Sequence, residues 1–292
     1  MSDYHLHLHP HEPTDVGPPP ATYPTGHIEA YVEAAAKRGV SELGFTEHLY
    51  RCVESAEALG RFWETESDGD LAEHSRRFVA EDRNLSLKSY VEAVVAAKDR
   101  GLPVKLGLEV DFFPDTIGAV AELLAPYPWD FLIGSVHWIG GWAIDSSSSL
   151  FGWDRKGLEW TWTTYFDLAV ELAASGVVDV LAHIDLPKKY GKRLPAEPVD
   201  RYDEVVAAAA ASNTAVEVSS QGLRKPAQEV YPSPEFLRRF FLGGVPITLA
   251  SDGHFPHEAA DGHAEVVAAA RAAGYSTHLR FDRRRRTDVP LV

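Results

Sequence analysis

The chain has 292 residues, of which 45% are hydrophobic, and its formal net charge is -15. A chain of this length and composition can bury the core of one barrel-sized domain or two small ones, so disorder is not expected. The negative charge argues against a general nucleic-acid binder, because such binding depends on Lys and Arg neutralising phosphates.

The single cysteine, Cys52, restricts the metal chemistry that the chain can support. It excludes internal disulfides and zinc sites built from several thiolates, so a metal would need nitrogen and oxygen ligands. The sequence does not open with a basic segment and an apolar run, and it has no apolar stretch of about 18 residues. We therefore expect a cytoplasmic protein that is neither secreted nor membrane-spanning.

Short β-rich runs alternate with segments that show helical spacing of Ala, Val and Leu. The predicted strands are residues 3–8, 41–47, 103–112, 131–138, 179–185, 214–220 and 246–251. The predicted helices lie near residues 27–38, 86–100, 116–125, 163–175, 200–212, 234–242 and 257–273. Such β/α alternation indicates an α/β protein with a parallel sheet, and closure into a single barrel domain over residues 1–292 is the economical arrangement.

Two polar stretches interrupt this alternation, at about residues 50–84 and 139–162. We interpret them as long loops over the active-site face, since long loops in a compact domain are usually functional; surface insertions without a role are the alternative. The arginine run at residues 283–286 predicts a solvated or interface segment rather than a nucleic-acid contact.

Potential metal ligands end six of the seven predicted strands, and only the strand in VEVSSQG lacks an obvious one. They are His5 and His7 in DYHLHLHPH, His48 in GFTEH, Glu109 in LGLEVD, His137 in GSVHW, His183 in LAHID, and Asp252 and His254 in ASDGH. A lone histidine at a strand end is usually a satisfied polar residue, but the C-terminal ends of barrel strands meet at one rim. Imidazole and carboxylate suit zinc, iron and manganese, and so many ligands predict two or three divalent metal ions.

Seven segments, in this order and over nearly the whole chain, resemble the polymerase and histidinol phosphatase (PHP) superfamily. They are DYHLH, GFTEH, LGLEVDF, FLIGSVHWI, LAHIDLPKKYG, SSQGLRKPAQEVYPS and LASDGH. The GLRKP, EVYPS and LPKKYG parts are similar to the monofunctional histidinol-phosphatase branch. The resemblance implies a distorted seven-stranded β/α barrel, a trinuclear metal centre and hydrolysis of L-histidinol phosphate in histidine biosynthesis.

The resemblance also implies a role for each ligand. His5 and His7 would bind the first ion with Asp252, Glu109 would bridge two ions, His137 and His183 would complete the second, and His48 and His254 the third. The family usually places one more histidine shortly after the first pair. Here that ligand is expected to be His11, with His9 as the alternative.

Hydrolysis would use water acidified by the metals, without a covalent intermediate. Glu109, Asp252 and Arg224 are the predicted catalytic residues, and Asp252 or a metal-bound water would protonate the leaving alkoxide. Arg224 would clamp the phosphate, with Lys189 or Lys188 as a second cation. The cationic histidinol part is expected to contact Glu47, Glu229 or an aromatic residue between positions 138 and 162.

Three other functions fit parts of this pattern. A PHP-type phosphodiesterase, nucleotidase or nuclease is disfavoured by the acidic charge and by the GLRKP segment. An amidohydrolase would normally lack the SDGH ending, and a non-catalytic metal-binding subunit would be expected to have lost ligands. The predicted partner is therefore a small phosphate ester, with no nucleic acid and no membrane, and the sequence does not determine the oligomeric state.

Overall fold

The computed structural model describes residues 1–10 and 17–292, in which β-strands alternate with helices. The strands are β1 (Ser2–Leu6), β2 (Glu42–Phe45), β3 (Val104–Leu106), β4 (Glu109–Asp111), β5 (Ile133–Ser135), β6 (Trp138–Ile139), β7 (Trp142–Ala143), β8 (Val180–Leu181), β9 (Ala215–Ser219), β10 (Ile247–Ala250), β11 (Thr277–Asp282) and β12 (Arg285–Pro290). The helices are α1 (His27–Ala36), α2 (Ser55–Leu59), α3 (Gly69–Asp82), α4 (Leu87–Asp99), α5 (Ile117–Leu124), α6 (Phe151–Lys156), α7 (Leu158–Ala174), α8 (Val199–Ser212), α9 (Pro234–Leu242) and α10 (His263–Ala273). No helix in this part of the chain is long and apolar enough to cross a membrane.

Two parallel sheets form the centre of the molecule. One has the order β1-β2-β3 and the other β10-β9-β8-β5-β4, and every pair within them is parallel. The sheets meet where Leu6 pairs with Gly253 and where His48 pairs with Glu109. The α/β class predicted from the sequence is thereby confirmed.

The predicted strand 103–112 is wrong as a single element, because the chain forms two short strands around Gly107. A Cβ atom at Gly107 would lie 2.6 Å from the Cζ atom of Phe131, so only glycine fits against this ring. The Gly107 N–H still donates to the Phe45 carbonyl at 2.8 Å. This break leaves β3 in the first sheet and lets β4 join the second, with Glu109 at the junction.

The two segments interpreted as loops contain regular structure, which corrects that expectation. Residues 50–84 include α2 and α3, and residues 139–162 include β7, α6 and the start of α7. Helix α3 begins where the Asp68 side chain accepts hydrogen bonds from the N–H groups of Asp70 and Leu71, as capping residues do. Its buried Leu71 and Val79 lie two turns apart on one helical face.

The C-terminal arginine run was expected to be a solvated or interface segment, and its backbone forms the antiparallel hairpin β11-β12. The arginine side chains are exposed, whereas Leu279 and Phe281 of β11 are buried. These two residues pack in one cluster with Tyr4, Phe131, Ile133, Val180, Ala182 and Ala215. Ile133, Val180 and Ala215 are the first residues of β5, β8 and β9. The hairpin therefore covers the end of the sheets at which the strands begin.

We expect Phe281→Ala to lower the free energy of unfolding by about 3–5 kcal/mol, because it leaves a cavity beside Phe131 and Tyr4. Chemical denaturation at fixed metal content measures this change. The control is Leu242→Ala, a residue with 67% of its surface exposed, which should change the value by at most about 0.5 kcal/mol. Equal effects of the two substitutions would show that the hairpin does not belong to the core.

Candidate metal centre

The ligands predicted from the sequence meet in one cluster just beyond the C-terminal ends of the strands. His5, His7, His48, Glu109, His137, His183 and Asp252 are buried there, and His254 is half-buried beside them. His11 lies outside the described residues. The cluster thus draws on β1, β4, and the segments that follow β2, β5, β8 and β10.

The Glu109 carboxylate lies at the centre of this cluster. Its Oε1 atom is 3.0 Å from His183 Nε2 and 3.3 Å from His137 Nε2. Its Oε2 atom is 2.7 Å from His48 Nδ1 and 3.4 Å from His5 Nε2. His7 Nε2 is also 3.6 Å from Oε2. Because the two oxygens face different sets of imidazoles, the carboxylate stands between two places where a cation could bind.

His5, His7 and Asp252 form a second group of converging donors. His5 lies in β1 and His7 directly follows it, and because they are two residues apart they share one face, with their Nε2 atoms 3.1 Å apart. Asp252 Oδ1 is 3.3 Å from His7 Nε2 and 3.6 Å from His5 Nε2. The other oxygen of Asp252 accepts a hydrogen bond from the Gln221 amide, which leaves Oδ1 directed at the histidines.

Two residues of the cluster have left-handed backbone conformations, which side chains other than glycine rarely adopt. His183 has φ +27° and Asp252 has φ +51°. Hydrogen bonds hold both in place: the His183 N–H donates to Glu217 Oε1 at 2.7 Å, and the Asp252 N–H donates to the His5 carbonyl at 2.9 Å. Such strain is retained where the surrounding structure fixes a functional geometry.

Two further carboxylates orient the histidines from behind, and the sequence did not point to them. Glu217 Oε2 lies 2.8 Å from His5 Nδ1, and Asp111 Oδ1 lies 2.8 Å from His137 Nδ1. A proton on each Nδ1 leaves the Nε2 lone pair free to bind a cation. Asp111 could have been found as the second carboxylate in LEVD, and Glu217 as a lone acid within the apolar strand VEVS.

Attraction between the imidazoles and the carboxylates shifts the pKa values of both within the cluster. Burial alone would raise the pKa of Glu109. The imidazoles of His48, His5 and His137 outweigh this effect and hold that pKa well below its usual value. Burial likewise opposes the rise of the His5 pKa, yet the carboxylates of Asp252, Glu217 and Glu109 raise it well above its usual value.

The donor set therefore fits divalent cations. The close Nε2 atoms of His5 and His7 cannot both carry a proton and face each other without repulsion, whereas a cation between them would use both lone pairs. His183 Nδ1 is buried without a hydrogen-bond partner among the described residues. Imidazole and carboxylate donors without thiolates suit zinc, manganese or iron.

A cavity of about 510 Å³ adjoins the cluster at His48 and His137. The two segments that the sequence predicted as loops, residues 50–84 and 139–162, both contribute to its wall. Its wall also contains Tyr50, Phe78, Glu81, Asp82, Asn84, Trp138, Asp145, Ser146, Ser147, Ser148, Lys189 and Tyr190. A small molecule bound in this space would therefore touch two of the candidate metal-binding histidines.

The two candidate lysines of LPKKYG have different surroundings. Lys189 lines the cavity, where its Nζ donates to the Asp145 carbonyl and carboxylate at 3.0 Å and 2.9 Å. Lys188 Nζ is buried and contacts Asp185, Glu229 and the Val230 carbonyl at 2.7–2.9 Å. The three N–H groups of Lys188 are thus matched by acceptors within the protein.

Arg224 and Glu47 support the backbone around the cluster. Arg224 Nη2 donates to the carbonyls of Ser251 and Asp252 at 2.7 Å and 3.0 Å. Glu47 Oε1 accepts from the N–H groups of Leu8 and His9 at 2.8 Å and 3.0 Å.

Both nitrogens of the His9 ring are also engaged, which bears on its candidacy as a ligand. His9 Nδ1 is 3.1 Å from Glu47 Oε1, and its Nε2 is 3.0 Å from the Thr22 carbonyl. Burial alone would raise the pKa of Glu47, but His9, Arg51 and His7 outweigh burial and lower this pKa to about 2. Glu47 and His9 therefore fix the turn after β1.

This fold and cluster define a metal-binding α/β protein, and its family is shown by comparison with known proteins. Residues 22–221 match the model of the PHP domain, so the chain belongs to the PHP domain family. A probable histidinol-phosphatase from Deinococcus radiodurans is 31% identical over 277 residues, which cover 95% of both chains. A probable histidinol-phosphatase from Schizosaccharomyces pombe is 22% identical over 80% of this chain and 76% of that protein.

Solved structures show the same fold. The crystal structure of histidinol phosphate phosphatase from Lactococcus lactis, complexed with zinc, L-histidinol and phosphate, has a TM-score of 0.73 at 21% identity and covers 98% of both chains. The structure of a putative histidinol phosphatase from Listeria monocytogenes has a TM-score of 0.70 at 18% identity, over 91% of this chain and 99% of that chain.

We expect Glu217→Gln to weaken zinc binding by about 10- to 100-fold, as loss of a partner behind a metal-binding histidine does. One amide oxygen cannot accept from both His5 Nδ1 and the His183 N–H, so the orientation of His5 is disturbed. Competition with a chelator measures the affinity. Glu265→Gln, at an exposed position of α10, is the control and should bind zinc normally. Equal affinities would remove Glu217 from the site.

Proposed function

We propose that this chain hydrolyses L-histidinol phosphate to L-histidinol and phosphate. The observation that carries the proposal is the buried cluster of imidazoles and carboxylates, opening on a ligand-sized cavity, in a chain 31% identical to a probable histidinol-phosphatase over 95% of its length. The zinc, histidinol and phosphate in the related Lactococcus lactis structure support the same class of substrate and products.

We further propose that the two sheets form one distorted seven-stranded barrel, in which β3 and β4 act as one broken strand. The parallel pairings of Leu6 with Gly253 and of His48 with Glu109 support this closure. The whole chain would then be one working domain. Although the PHP match spans residues 22–221, the donors of His5, His7, Asp252 and His254 come from outside it.

Two or three divalent ions, of zinc, manganese or iron, are the proposed cofactors. Four groups of donor atoms support this number, since the members of each lie within 4.8 Å of one another. They are His5, His7 and Asp252; His5, Glu109 and His183; His7, His48 and His254; and His48, Asp111 and His137. The Asp111 oxygens already face His137 Nδ1 and the Tyr50 N–H, so we assign Asp111 to orientation. Bound cations supply positive charge for the phosphoryl oxygens and acidify the attacking water.

The chain's own residues then bind and orient the ester. Lys189 donates two of its three N–H groups to Asp145, so the third is available to a phosphoryl oxygen. Arg224 is the proposed second cation, because its Nη1 has no hydrogen-bond partner among the described residues and lies 3.6 Å from Asp261. Lys188 and Glu47 act indirectly, by fixing the backbone around the site.

Asp252 is the proposed proton carrier. Its Oδ2 is held by Gln221, whereas its Oδ1 faces His7 Nε2 on the inner side of the cluster. Because Oδ1 would hold a cation together with His5 and His7, Oδ2 is the oxygen that would take a proton from the attacking water and return it to the leaving alkoxide. Residues 50–84 and 139–162 cover the reacting groups, since both segments line the cavity.

The part of the cavity beyond His48 suits the cationic alcohol. Phe78 and Trp138 provide aromatic walls there, and Glu81 provides a carboxylate. The amino group and imidazole of histidinol can lie against these rings and this charge. Phosphate binding near Lys189 and cation binding near Glu81 would fix the direction of the substrate.

We expect the purified enzyme to release phosphate from L-histidinol phosphate in preference to phosphodiesters and unrelated monoesters. The assay supplies zinc, manganese and iron separately. Glu109→Gln should lower kcat by at least about 100-fold and reduce bound metal, because the substitution removes the central charge of the site. Glu122→Gln, at an exposed position of α5, serves as the control.

Two results would contradict the proposal in different ways. Rapid cleavage of diesters with inert histidinol phosphate would refute the substrate. Normal turnover and metal content in Glu109→Gln would refute the metal chemistry.

We expect Glu81→Gln to raise the KM for L-histidinol phosphate about three- to fivefold, as loss of one partly exposed charge contact does. The KM for p-nitrophenyl phosphate should stay the same, because that ester carries no cation. Glu73→Gln on the same helix lies outside the cavity wall and should change neither value. A parallel rise for both substrates would exclude recognition of the cation by Glu81.

A further inference from the structure

A second cavity, of about 600 Å³, lies at the opposite end of the strands. Trp129 and Leu132 of its wall precede β5, and Val177 precedes β8, whereas the metal-binding His137 and His183 follow these strands. The remaining wall is formed by Ala121, Leu124, Ala125, Tyr127, Pro128 and Gly176, with Arg283 and Arg284 at one side. The space is therefore mainly apolar, has the size of a small-molecule site and is separate from the metal cluster.

The two arginines stand at the tip of the β11-β12 hairpin in an unusual backbone conformation. Arg283 has φ +48° and Arg284 has φ +63°, although this turn geometry is normally left to glycine or asparagine. Asp130 holds the tip, because its Oδ1 accepts from the Arg283 N–H at 3.2 Å and its carbonyl accepts from the Arg284 N–H at 2.8 Å. Asp130 thus anchors the backbone of the turn from which both side chains extend beside the cavity.

The two guanidinium groups differ in their partners. Arg284 Nε is 2.6 Å from Asp179 Oδ2, and its Nη2 donates to the Val177 carbonyl at 2.9 Å. The Arg283 guanidinium makes no hydrogen bond or ion pair with any residue of the described ranges 1–10 and 17–292; only its backbone N–H is engaged. An unpaired arginine beside an apolar cavity is notable in a chain with a net charge of -15.

We propose that this second cavity binds a small anion with a flat apolar body, such as an aryl carboxylate or sulfonate. The side chains of Leu124, Trp129 and Val177 cover the apolar body, and Arg283 makes paired hydrogen bonds to the anionic group. Arg284 adds positive charge while remaining paired with Asp179. Helix α5 leaves room for the ligand because it presents Ala121 and, just beyond its end, Ala125.

Calorimetric titration of the metal-loaded enzyme with 1-naphthalenesulfonate tests this site. We expect one binding site per chain and at least about tenfold weaker binding of neutral 1-naphthol, which has the same rings without the charge. Arg283→Ala should weaken sulfonate binding by a similar factor. Arg285→Ala is the matched control, because it removes the same charge two residues along the hairpin and outside the cavity wall.

Ala125→Phe fills the cavity from the residue just beyond α5 without altering the hairpin, so it tests the site even where Arg283→Ala fails to fold. It should abolish sulfonate binding while metal content and phosphate release stay normal. Three results would each overturn the proposal: equal binding of sulfonate and naphthol, equal effects of the two arginine substitutions, or unchanged binding in Ala125→Phe. Absence of sulfonate binding at millimolar concentration would do the same.

Discussion

The environment of the Glu109 carboxylate is the constraint on which the structure depends. Its backbone lies at the junction of the two sheets, paired with His48 on one side and Ile133 on the other. Its side chain is fully buried, which is costly for a charge unless neighbours compensate it. The imidazoles around it supply that compensation only in part while they are neutral. Cations held by these donors would complete it, which would link metal binding to the stability of the fold.

The histidines of the cluster can interact with the Glu109 carboxylate because other carboxylates fix the orientation of their rings. His5 presents Nδ1 to Glu217, and His137 presents Nδ1 to Asp111, so both turn Nε2 inward. His48 differs, since its Nδ1 is the atom that faces Glu109. The result is an inner group of donor atoms held by an outer group of acids. In a buried site shielded from water, such fixed partners keep the ligands from reorienting when the charge changes.

The sequence predicted the α/β class and the residues that meet in the cluster, because β/α alternation and ligands at strand ends are local patterns. It could not predict features that depend on distant contacts. The break at Gly107 exists because Phe131 fills the adjacent space, and Glu217 matters because β9 brings it behind His5. The sequence predicted Lys188 as a phosphate ligand, but in the structure Asp185 and Glu229 pair with its ammonium group.

The C-terminal hairpin could not be predicted from the sequence for the same reason, its dependence on distant contacts. Its arginine-rich turn indicated an exposed segment, although two residues of β11 enter the core. Leu279 and Phe281 fill the end of the sheets opposite the candidate metal ligands, and Asp130 anchors the turn. This end is held by its own set of buried contacts, which shares no side chain with the metal cluster. In β/α barrels the face at the start of the strands usually serves stability and the other face chemistry. In this protein the end at which the strands begin also carries the second cavity, where the Arg283 guanidinium has no partner among the described residues, so it offers binding chemistry that the site at the other end does not use.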